Sequence, residues 1–292
     1  MKRLFPKIER RLSGAAGAAG LLAVLALPAG RAQEPADTNY DESLVPEYSL
    51  PAHLPDHVAP NERRRFWEET RRNEILDLFE KHVYGRAPAD PVDIRARVVE
   101  ESDNALDGRA TRRQVVLTIS PKSAETESTP SRSIEINVLI YAPREREGPA
   151  PAFIGLNFYG NQTVHPDPQI RLSRQWMRGN TDIGIVDHRA TEQTRGVYRE
   201  RWQVERLIKR GYGLVTAYYG DIDPDNYRHD FSDGVHPLFY RPGQTEPADD
   251  EWGAIAAWAW GMFRIREWLQ SEARIDDGRL GVIGHSPPGK TA

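Results

Sequence analysis

The sequence predicts an α/β protein, a three-layer sandwich in which helices cover both faces of a largely parallel sheet. Two observations favour this class. After Pro149, short apolar runs alternate with segments of helical periodicity, which is the order of βαβ units. Before that point, three segments alternate polar and apolar residues, which predicts antiparallel strands. The chain has 292 residues, a length that suits one domain.

Residues 1–32 have the pattern of a secretory signal peptide and are excluded from the fold. Basic side chains such as Lys2 and Arg11 precede an apolar stretch from Ala15 to Ala29, and small residues follow at a suitable cleavage position. This stretch is shorter than the ~20 apolar residues that a spanning helix needs. We therefore expect an exported protein, secreted or periplasmic, with no membrane attachment after cleavage.

The net charge and the lack of cysteine in the mature chain limit which partners and which stabilising bonds are expected. Removing residues 1–32 leaves 33 basic and 42 acidic residues, a net charge of −9, whereas the whole chain carries −4. An acidic protein is a poor match for nucleic acid, so we expect no nucleic-acid partner. The sequence contains no cysteine. An exported domain without disulfides must be stabilised by a conventional hydrophobic core.

The first half of the chain predicts an arm, a helix and an antiparallel unit. Residues 33–60 are rich in proline and acidic side chains without sustained periodicity, which indicates an extended arm. Residues 61–292 are interpreted as the N-terminal part of one domain. Its predicted elements in this half are a helix over 63–83 and strands over 92–99, 114–119 and 134–141. The Ser- and Thr-rich interval 120–133 is expected to be an exposed connection.

The second half predicts alternating strands and helices. The strands are expected over 152–156, 214–219 and 280–283, and the helices over 203–209 and 254–269. Four tryptophans are assigned to the last helix and are expected to fill the core: Trp252, Trp258, Trp260 and Trp268.

The run from Leu280 to Lys290 has the pattern of a nucleophile elbow. An apolar strand, Gly284, Ser286 and then Gly289 opening a helix is the arrangement with which α/β-hydrolases expose a reactive hydroxyl above the sheet. Ser286 is therefore the candidate catalytic nucleophile. The alternative is a serine that only caps a helix. The neighbouring residue, His285, is expected to pack rather than to react.

The elbow resembles that of one family. Its signature is Gly-x-Ser-Arg-x-Gly-Lys, and the positions matched are Gly284, Ser286, Gly289 and Lys290. The sequence is similar in this to the glucuronoyl esterases, carbohydrate esterase family 15. Pro287 departs from the signature, which has arginine there. The resemblance covers roughly residues 60–292, and its upstream blocks are Asn157 to Asn161, Arg195 to Trp202, Tyr218 to Pro224 and Trp252 to Trp268.

The resemblance implies an α/β-hydrolase fold, incomplete after the elbow, and a serine carboxylesterase that needs no metal or organic cofactor. Its substrates would be esters between glucuronic acid on plant cell-wall xylan and lignin alcohols. Lys290 would bind the sugar hydroxyls beside the nucleophile. In this fold the acid and the histidine follow the serine in the chain, so both would lie after Ala292. We therefore expect the chain as given to have no measurable esterase activity.

Two alternatives remain open at this stage. The first is an acetyl xylan esterase, which would act on xylan decorations with the same serine chemistry. The second is a non-catalytic protein, either a degenerate family member that binds carbohydrate or a fragment. The absence of the triad partners and the presence of Pro287 favour this second alternative.

The segment Asn157 to Asn161 follows the strand whose loop, in this fold, supplies one backbone amide to the oxyanion hole. The alternative is a glycine turn with capping asparagines.

Three aspartates alternate along the chain as in a calcium-binding loop: Asp221, Asp223 and Asp225. A calcium loop needs glycine at the position that Asn226 occupies here, so we expect no metal site. Three histidines that precede the serine are interpreted as loop residues, not as the base: His188, His229 and His236.

Overall fold

The computed structural model describes residues 39–122, 132–226 and 231–292. The predicted signal peptide, most of the predicted connection over 120–133, and His229 lie outside these ranges. The chain divides into two units, Met1–His53 and Leu54–Ala292. In the described part of the first unit, a 3₁₀ turn spans Glu42–Leu44, and the side chain of Asp41 accepts a hydrogen bond from the Ser43 amide at 3.0 Å.

A six-stranded mixed sheet organises the second unit. Its spatial order is β1-β2-β3-β7-β4-β8, and β5 and β6 form a separate hairpin. The strands are β1 Val92–Asn104, β2 Ala110–Pro121, β3 Ile134–Pro143, β4 Ala150–Asn157, β5 Ile185–Val186, β6 Arg189–Ala190, β7 Gly213–Tyr218 and β8 Ile275–Val282. The first three strands and β7 pair antiparallel, whereas β7, β4 and β8 are parallel. The predicted α/β class with an antiparallel beginning is therefore confirmed.

The helices flank this sheet. They are α1 Arg63–Phe66, α2 Arg72–Phe79, α3 Ala105–Gly108, α4 Arg199–Trp202, α5 Val204–Lys209, α6 Ala254–Leu269 and α7 Pro287–Thr291. Inside α3, Leu106 and Asp107 have positive φ, so that segment is a tight left-handed turn. The predicted bounds of α6 agree with the structure, because an uninterrupted stretch without charged residues over 254–263 is continued at helical spacing by Ile265, Trp268 and Leu269.

Alternating side chains of β3 divide the core into two layers. Ile136, Val138 and Ile140 point into the larger cluster, which also contains α6. Leu139 and Tyr141 belong to the smaller cluster on the other face, together with α5. This period of two is the pattern predicted from the sequence. The helices α5 and α6 therefore cover opposite faces of the sheet.

The predicted tryptophan core is present on the α6 side. Trp258 and Trp260 are buried on α6, and Trp252 is buried two residues before the helix begins. Trp268 packs against the same cluster from a partly buried position. The indole nitrogen of Trp258 donates a hydrogen bond to the carbonyl of Asp223 at 2.9 Å. These contacts support the prediction that the tryptophans are core residues.

The predicted helix over residues 63–83 contains two changes of register. Turns of π-helix, Trp67–Arg71 and Glu80–Tyr84, interrupt the α-helical segments α1 and α2. None of these residues is buried. The segment ends at Gly85, where φ is +77° and a Cβ would lie 2.0 Å from the Glu251 carbonyl oxygen, a contact that only glycine permits.

Candidate active site

The turn between β8 and α7 holds Ser286 in an unusual backbone conformation. Its φ is +54° and its ψ is −127°, and the residue is exposed. A residue with a side chain rarely adopts this region, and such strain is maintained only where the surroundings impose it. The turn therefore presents a serine hydroxyl at the carboxyl end of a parallel strand, as the elbow pattern predicts.

Two glycines allow the chain to make this turn. A Cβ on Gly284 would lie 2.2 Å from the Pro288 carbonyl oxygen. A Cβ on Gly155, in the neighbouring strand β4, would lie 2.4 Å from the Ile283 carbonyl oxygen. Any side chain at either position would force the backbones apart. The glycine two residues before the serine is thus required by the approach of α7 to the end of β8.

The first turn of α7 tolerates two consecutive prolines. The carbonyl of Ser286 accepts hydrogen bonds from the amides of Gly289 at 2.9 Å and Lys290 at 3.1 Å. The first amides of a helix have no intrahelical acceptor, so proline at Pro287 and Pro288 breaks no helical hydrogen bond. The consequence lies in the chemistry, because position 287 has no N–H to offer to a ligand.

The loop after β4 is held beside the elbow by buried amide side chains. Asn157 donates from Nδ2 to Asn161 Oδ1 at 2.8 Å and to Thr216 Oγ1 at 3.1 Å. Asn161 donates in turn to the Asn137 carbonyl at 2.8 Å. These side chains therefore tie the loop to the strands β3 and β7. The ring of Phe158 in this loop lies 6.2 Å from that of His285, centroid to centroid.

A second segment packs on that loop. The amide of Tyr198 donates to the Thr163 carbonyl at 2.9 Å. The Tyr198 ring stacks on Tyr159 with centroids 5.9 Å apart and an interplanar angle of 22°. The guanidinium carbon of Arg201 lies 4.7 Å from the centroid of the Tyr198 ring. A chain of aromatic contacts thus extends from the elbow to Arg201.

A cavity of about 140 Å³ lies between the elbow and α4. We call it the elbow cavity. Its lining residues are Leu156, Phe158, Arg201, Trp202, Ile283, Gly284 and His285. The sequence did not identify Arg201 or Trp202 as site residues. They belong to one of the blocks that carried the resemblance, and that was the available signal.

Comparisons with known proteins agree with this architecture. A glucuronoyl esterase from Solibacter usitatus is 39% identical with a TM-score of 0.70, over 86% of this chain and 61% of that one. A promiscuous CE15 esterase from a marine bacterial metagenome is 38% identical with a TM-score of 0.68, over 87% of this chain and 61% of that one. Over the matched residues the chain is similar to the CE15 esterases in both sequence and fold.

Two further comparisons show how much of its relatives the chain covers and how far the shared fold extends. The curated carbohydrate esterase MZ0003, from an unknown prokaryotic organism, is 38% identical over 262 residues, which are 89% of this chain and 58% of that protein. The chain therefore spans about three fifths of the length of the CE15 relatives it matches. A CE15 glucuronoyl esterase from Teredinibacter turnerae, at 21% identity and a TM-score of 0.54, shares the fold. No family model matches the chain.

Lys290, the position that matches the CE15 signature lysine, is exposed on α7. It lines a cleft of about 260 Å³ on the α6 side of the sheet, together with Tyr84, Trp260 and Phe263. Of the residues that line the elbow cavity, Trp202 and Ile283 pack against the smaller core cluster, whereas Leu156 and Phe158 pack with the larger one. Two separate concave surfaces therefore adjoin the elbow.

No side chain in residues 39–122, 132–226 or 231–292 hydrogen-bonds to the Ser286 hydroxyl. His188 stacks on Trp176 with ring centroids 5.0 Å apart, which agrees with its interpretation as a loop residue. His236 is fully buried instead. Its Nδ1 lies 2.9 Å from an Asp223 carboxylate oxygen, and its Nε2 lies 3.1 Å from the Trp252 carbonyl oxygen.

The three alternating aspartates have separate environments. Asp221 Oδ2 accepts from the Asn137 amide at 2.8 Å and from its Nδ2 at 3.0 Å, and burial raises the pKa of Asp221 to about 7. Asp223 pairs with His236 and also accepts a hydrogen bond from the Asp225 amide at 2.9 Å.

Across the described ranges, no three His, Cys, Asp or Glu side chains are grouped to hold a metal ion. Among the helices described, none has the length and apolar character needed to cross a bilayer.

Proposed function

We propose that the chain carries the nucleophile of a serine carboxylesterase that cleaves uronate esters, such as those between xylan glucuronic acid and lignin alcohols. The observation that carries this proposal is the conformation of Ser286, with φ +54° and ψ −127° at an exposed strand-to-helix turn. A serine that only capped a helix would not need this strain. The relatives named as glucuronoyl esterases support the choice of ester.

The reaction would be acyl transfer. The Ser286 oxygen attacks the ester carbonyl, a histidine accepts the hydroxyl proton and returns it to the departing alcohol, and water releases the acid from the acyl-enzyme. The loop containing Phe158 would supply a backbone amide to the developing oxyanion. The amide after the nucleophile, which normally supplies the second donor, is absent at Pro287.

Lys290 would bind hydroxyls of the uronate ring from the α6 side of the elbow. It is exposed, lies one helical turn after Ser286, and lines the cleft with Trp260 and Phe263. A lysine ammonium donates up to three hydrogen bonds, which suits a ring that carries several hydroxyl oxygens. The substrate would thus be a plant cell-wall carbohydrate met outside the cytoplasm, in keeping with the leader pattern of residues 1–32.

The test is a chimera in which residues 39–292 are continued by the C-terminal part of the Solibacter usitatus glucuronoyl esterase. We expect it to hydrolyse the methyl ester of glucuronate, and we expect Ser286→Ala to abolish turnover. Ser271→Ala, an exposed serine at the end of α6, is the matched control. Preference for acetylated xylan over the uronate ester would identify an acetyl xylan esterase instead. Xylan binding without turnover would identify a non-catalytic relative.

A further inference from the structure

A polar cavity of about 180 Å³ lies where β3 begins and β7 ends, bordered by the loop 171–175. We call it the Asp221 cavity. It shares no lining residue with the elbow cavity or with the cleft at Lys290. A protein cavity of about 150 Å³ accommodates benzene, so the Asp221 cavity has room for one small molecule and not for an oligosaccharide.

The carboxylate of Asp221 lines this cavity with one oxygen unsatisfied. Asp221 is only 4% exposed. Its Oδ2 accepts both hydrogen bonds from Asn137, whereas its Oδ1 has no hydrogen-bond partner in the described part of the chain. Leaving a buried carboxylate oxygen unpaired costs free energy, and most such oxygens have a donor. The wall of the cavity therefore offers an acceptor that a donor on a ligand would satisfy.

Three further charged side chains line the Asp221 cavity: Glu135, Arg171 and Arg174. All three are exposed, and none of them forms an ion pair or a side-chain hydrogen bond with another described residue. Glu135 lies on β3 and Asp221 follows β7, whereas both arginines belong to the loop 171–175. The acidic groups of the cavity are thus on the sheet, and the basic groups are on the loop that borders it.

The two carboxylates also affect each other. Burial, and after it the nearby charge of Glu135, raises the pKa of Asp221 to about 7. A positive group of a ligand placed beside Asp221 would relieve both effects, since it would satisfy the unpaired oxygen and offset the repulsion between the carboxylates.

The four charges together favour a ligand that carries both signs. A simple cation would face two unpaired arginines, and a simple anion would face two carboxylates. An ammonium group offers three N–H donors and no acceptor, which suits the carboxylate side. Arginine binds a carboxylate with two parallel hydrogen bonds, which suits the loop side. With Asp221 ionised, the four side chains sum to zero charge, as does a zwitterion.

We propose that the Asp221 cavity binds a small amino acid as its zwitterion, with the ammonium group on the Asp221 carboxylate and the ligand carboxylate on Arg171 and Arg174. Glu135 adds to the attraction for the ammonium group. The site is separate from the elbow and does not depend on the esterase function proposed above.

The test uses the 292-residue chain at pH 8, where Asp221 is mostly ionised. The probe is 4-aminobutyrate, compared with two analogues of the same length. Butylamine has a methyl group in place of the carboxylate, and pentanoate has one in place of the ammonium group. Ligand-observed NMR titration measures each Kd. We expect 4-aminobutyrate to bind about tenfold more tightly than either analogue.

One variant tests each end of the ligand. Asp221→Asn keeps an oxygen for the Asn137 hydrogen bonds and removes the charge, so it should weaken 4-aminobutyrate about tenfold without weakening pentanoate. Arg174→Met should weaken 4-aminobutyrate about fivefold without weakening butylamine. Asp182→Asn and Arg178→Met, at exposed positions outside the lining, are the matched controls and should change no affinity. Circular dichroism establishes that each variant is folded, and Arg174→Met changes only an exposed side chain.

Four results would overturn the inference. The first is no saturable binding of 4-aminobutyrate. Equal affinity for butylamine would identify a cation site, and equal affinity for pentanoate would identify an anion site. Full affinity for 4-aminobutyrate in a folded Asp221→Asn or Arg174→Met variant would place the ligand elsewhere.

Discussion

Gly284 lies directly against Pro288: a Cβ placed on the glycine would come within 2.2 Å of the proline carbonyl oxygen and 2.7 Å of the next Cα, that of Gly289. At this point the backbone after β8 packs directly on the backbone of the first turn of α7, with no side chain between them. This contact forces the intervening Ser286 into its positive φ. The geometry of the nucleophile therefore depends on a residue that takes no part in the chemistry.

Gly284→Ala should consequently destabilise the elbow. Because the nearest atoms belong to backbone rather than to a flexible side chain, we expect the free energy of unfolding to fall by about 3 kcal/mol. Chemical denaturation followed by tryptophan fluorescence measures this. Gly179→Ala is the control, because its Cβ would meet only the His188 ring at 3.7 Å. Similar stability in the two variants would contradict the close-approach argument.

Val282 should contribute to self-association. It is the last residue of β8, which forms an edge of the described sheet, and 48% of its surface is exposed. Exposed apolar edge strands recruit other strands, and a lysine on the edge opposes this. We expect Val282→Lys to lower concentration-dependent light scattering of the purified chain. Val186→Lys, a valine of 46% exposure in the small hairpin, should leave scattering unchanged.

Local sequence patterns predicted most of the sheet. The period of two predicted β3 with its correct faces, and the helical spacing of apolar residues predicted the bounds of α6. The far end of β1 escaped prediction because its charged residues resemble a loop. There Glu100 accepts hydrogen bonds from Arg112, which is itself 4% exposed. That pairing joins positions that are distant in sequence, and no local pattern reports it.

For the candidate site, the sequence predicted the nucleophile Ser286 and the glycines on either side of it, Gly284 and Gly289. Arg201 was missed because only the fold brings it into a cavity with residues at the ends of β4 and β8. His236 was interpreted as a loop residue, yet it is fully buried beside Asp223. Both depend on tertiary contacts between segments, which composition and spacing do not encode.

Asp221 should make stability depend on pH. Its raised pKa, about 7, means that the folded chain holds this proton more tightly than the unfolded chain, where the value is near 3.8. Its stabilising effect is present in full below about pH 4 and is lost as pH rises toward 7. The other charged residues that line the Asp221 cavity, of about 180 Å³, are Glu135, which opposes ionisation, Arg171 and Arg174.

Asp221→Asn isolates this effect, because an amide oxygen can still accept both Asn137 hydrogen bonds without ionising. Relative to the unmodified chain, we expect the variant to gain on the order of 3 kcal/mol in unfolding free energy between pH 4.5 and 7.5. Urea denaturation at several pH values measures the difference. A difference that does not change with pH would show that Asp221 ionises normally.

Pro287 should limit catalysis more than folding. The Ser286 carbonyl accepts from Gly289 and Lys290, so the helix needs no N–H at position 287. An oxyanion forming at Ser286 would need that N–H, and losing one such donor typically costs about 3–4 kcal/mol, or roughly 10²–10³ in rate. In the chimera, Pro287→Ala restores the backbone donor alone, whereas Pro287→Arg also restores the side chain of the family signature.

We expect kcat for the methyl glucuronate ester to rise by roughly 10²-fold in Pro287→Ala and further in Pro287→Arg, with KM nearly unchanged. Pro288→Ala is the matched control, because its amide lies one residue beyond the oxyanion position and its proline also occupies the first helical turn. An equal gain from Pro288→Ala would mean that relaxed backbone, not the restored donor, increases the rate. The same turn presents the Ser286 hydroxyl in the unmodified chimera and in Pro287→Ala. Equal kcat values for the two would therefore show that a backbone N–H at position 287 does not stabilise the oxyanion.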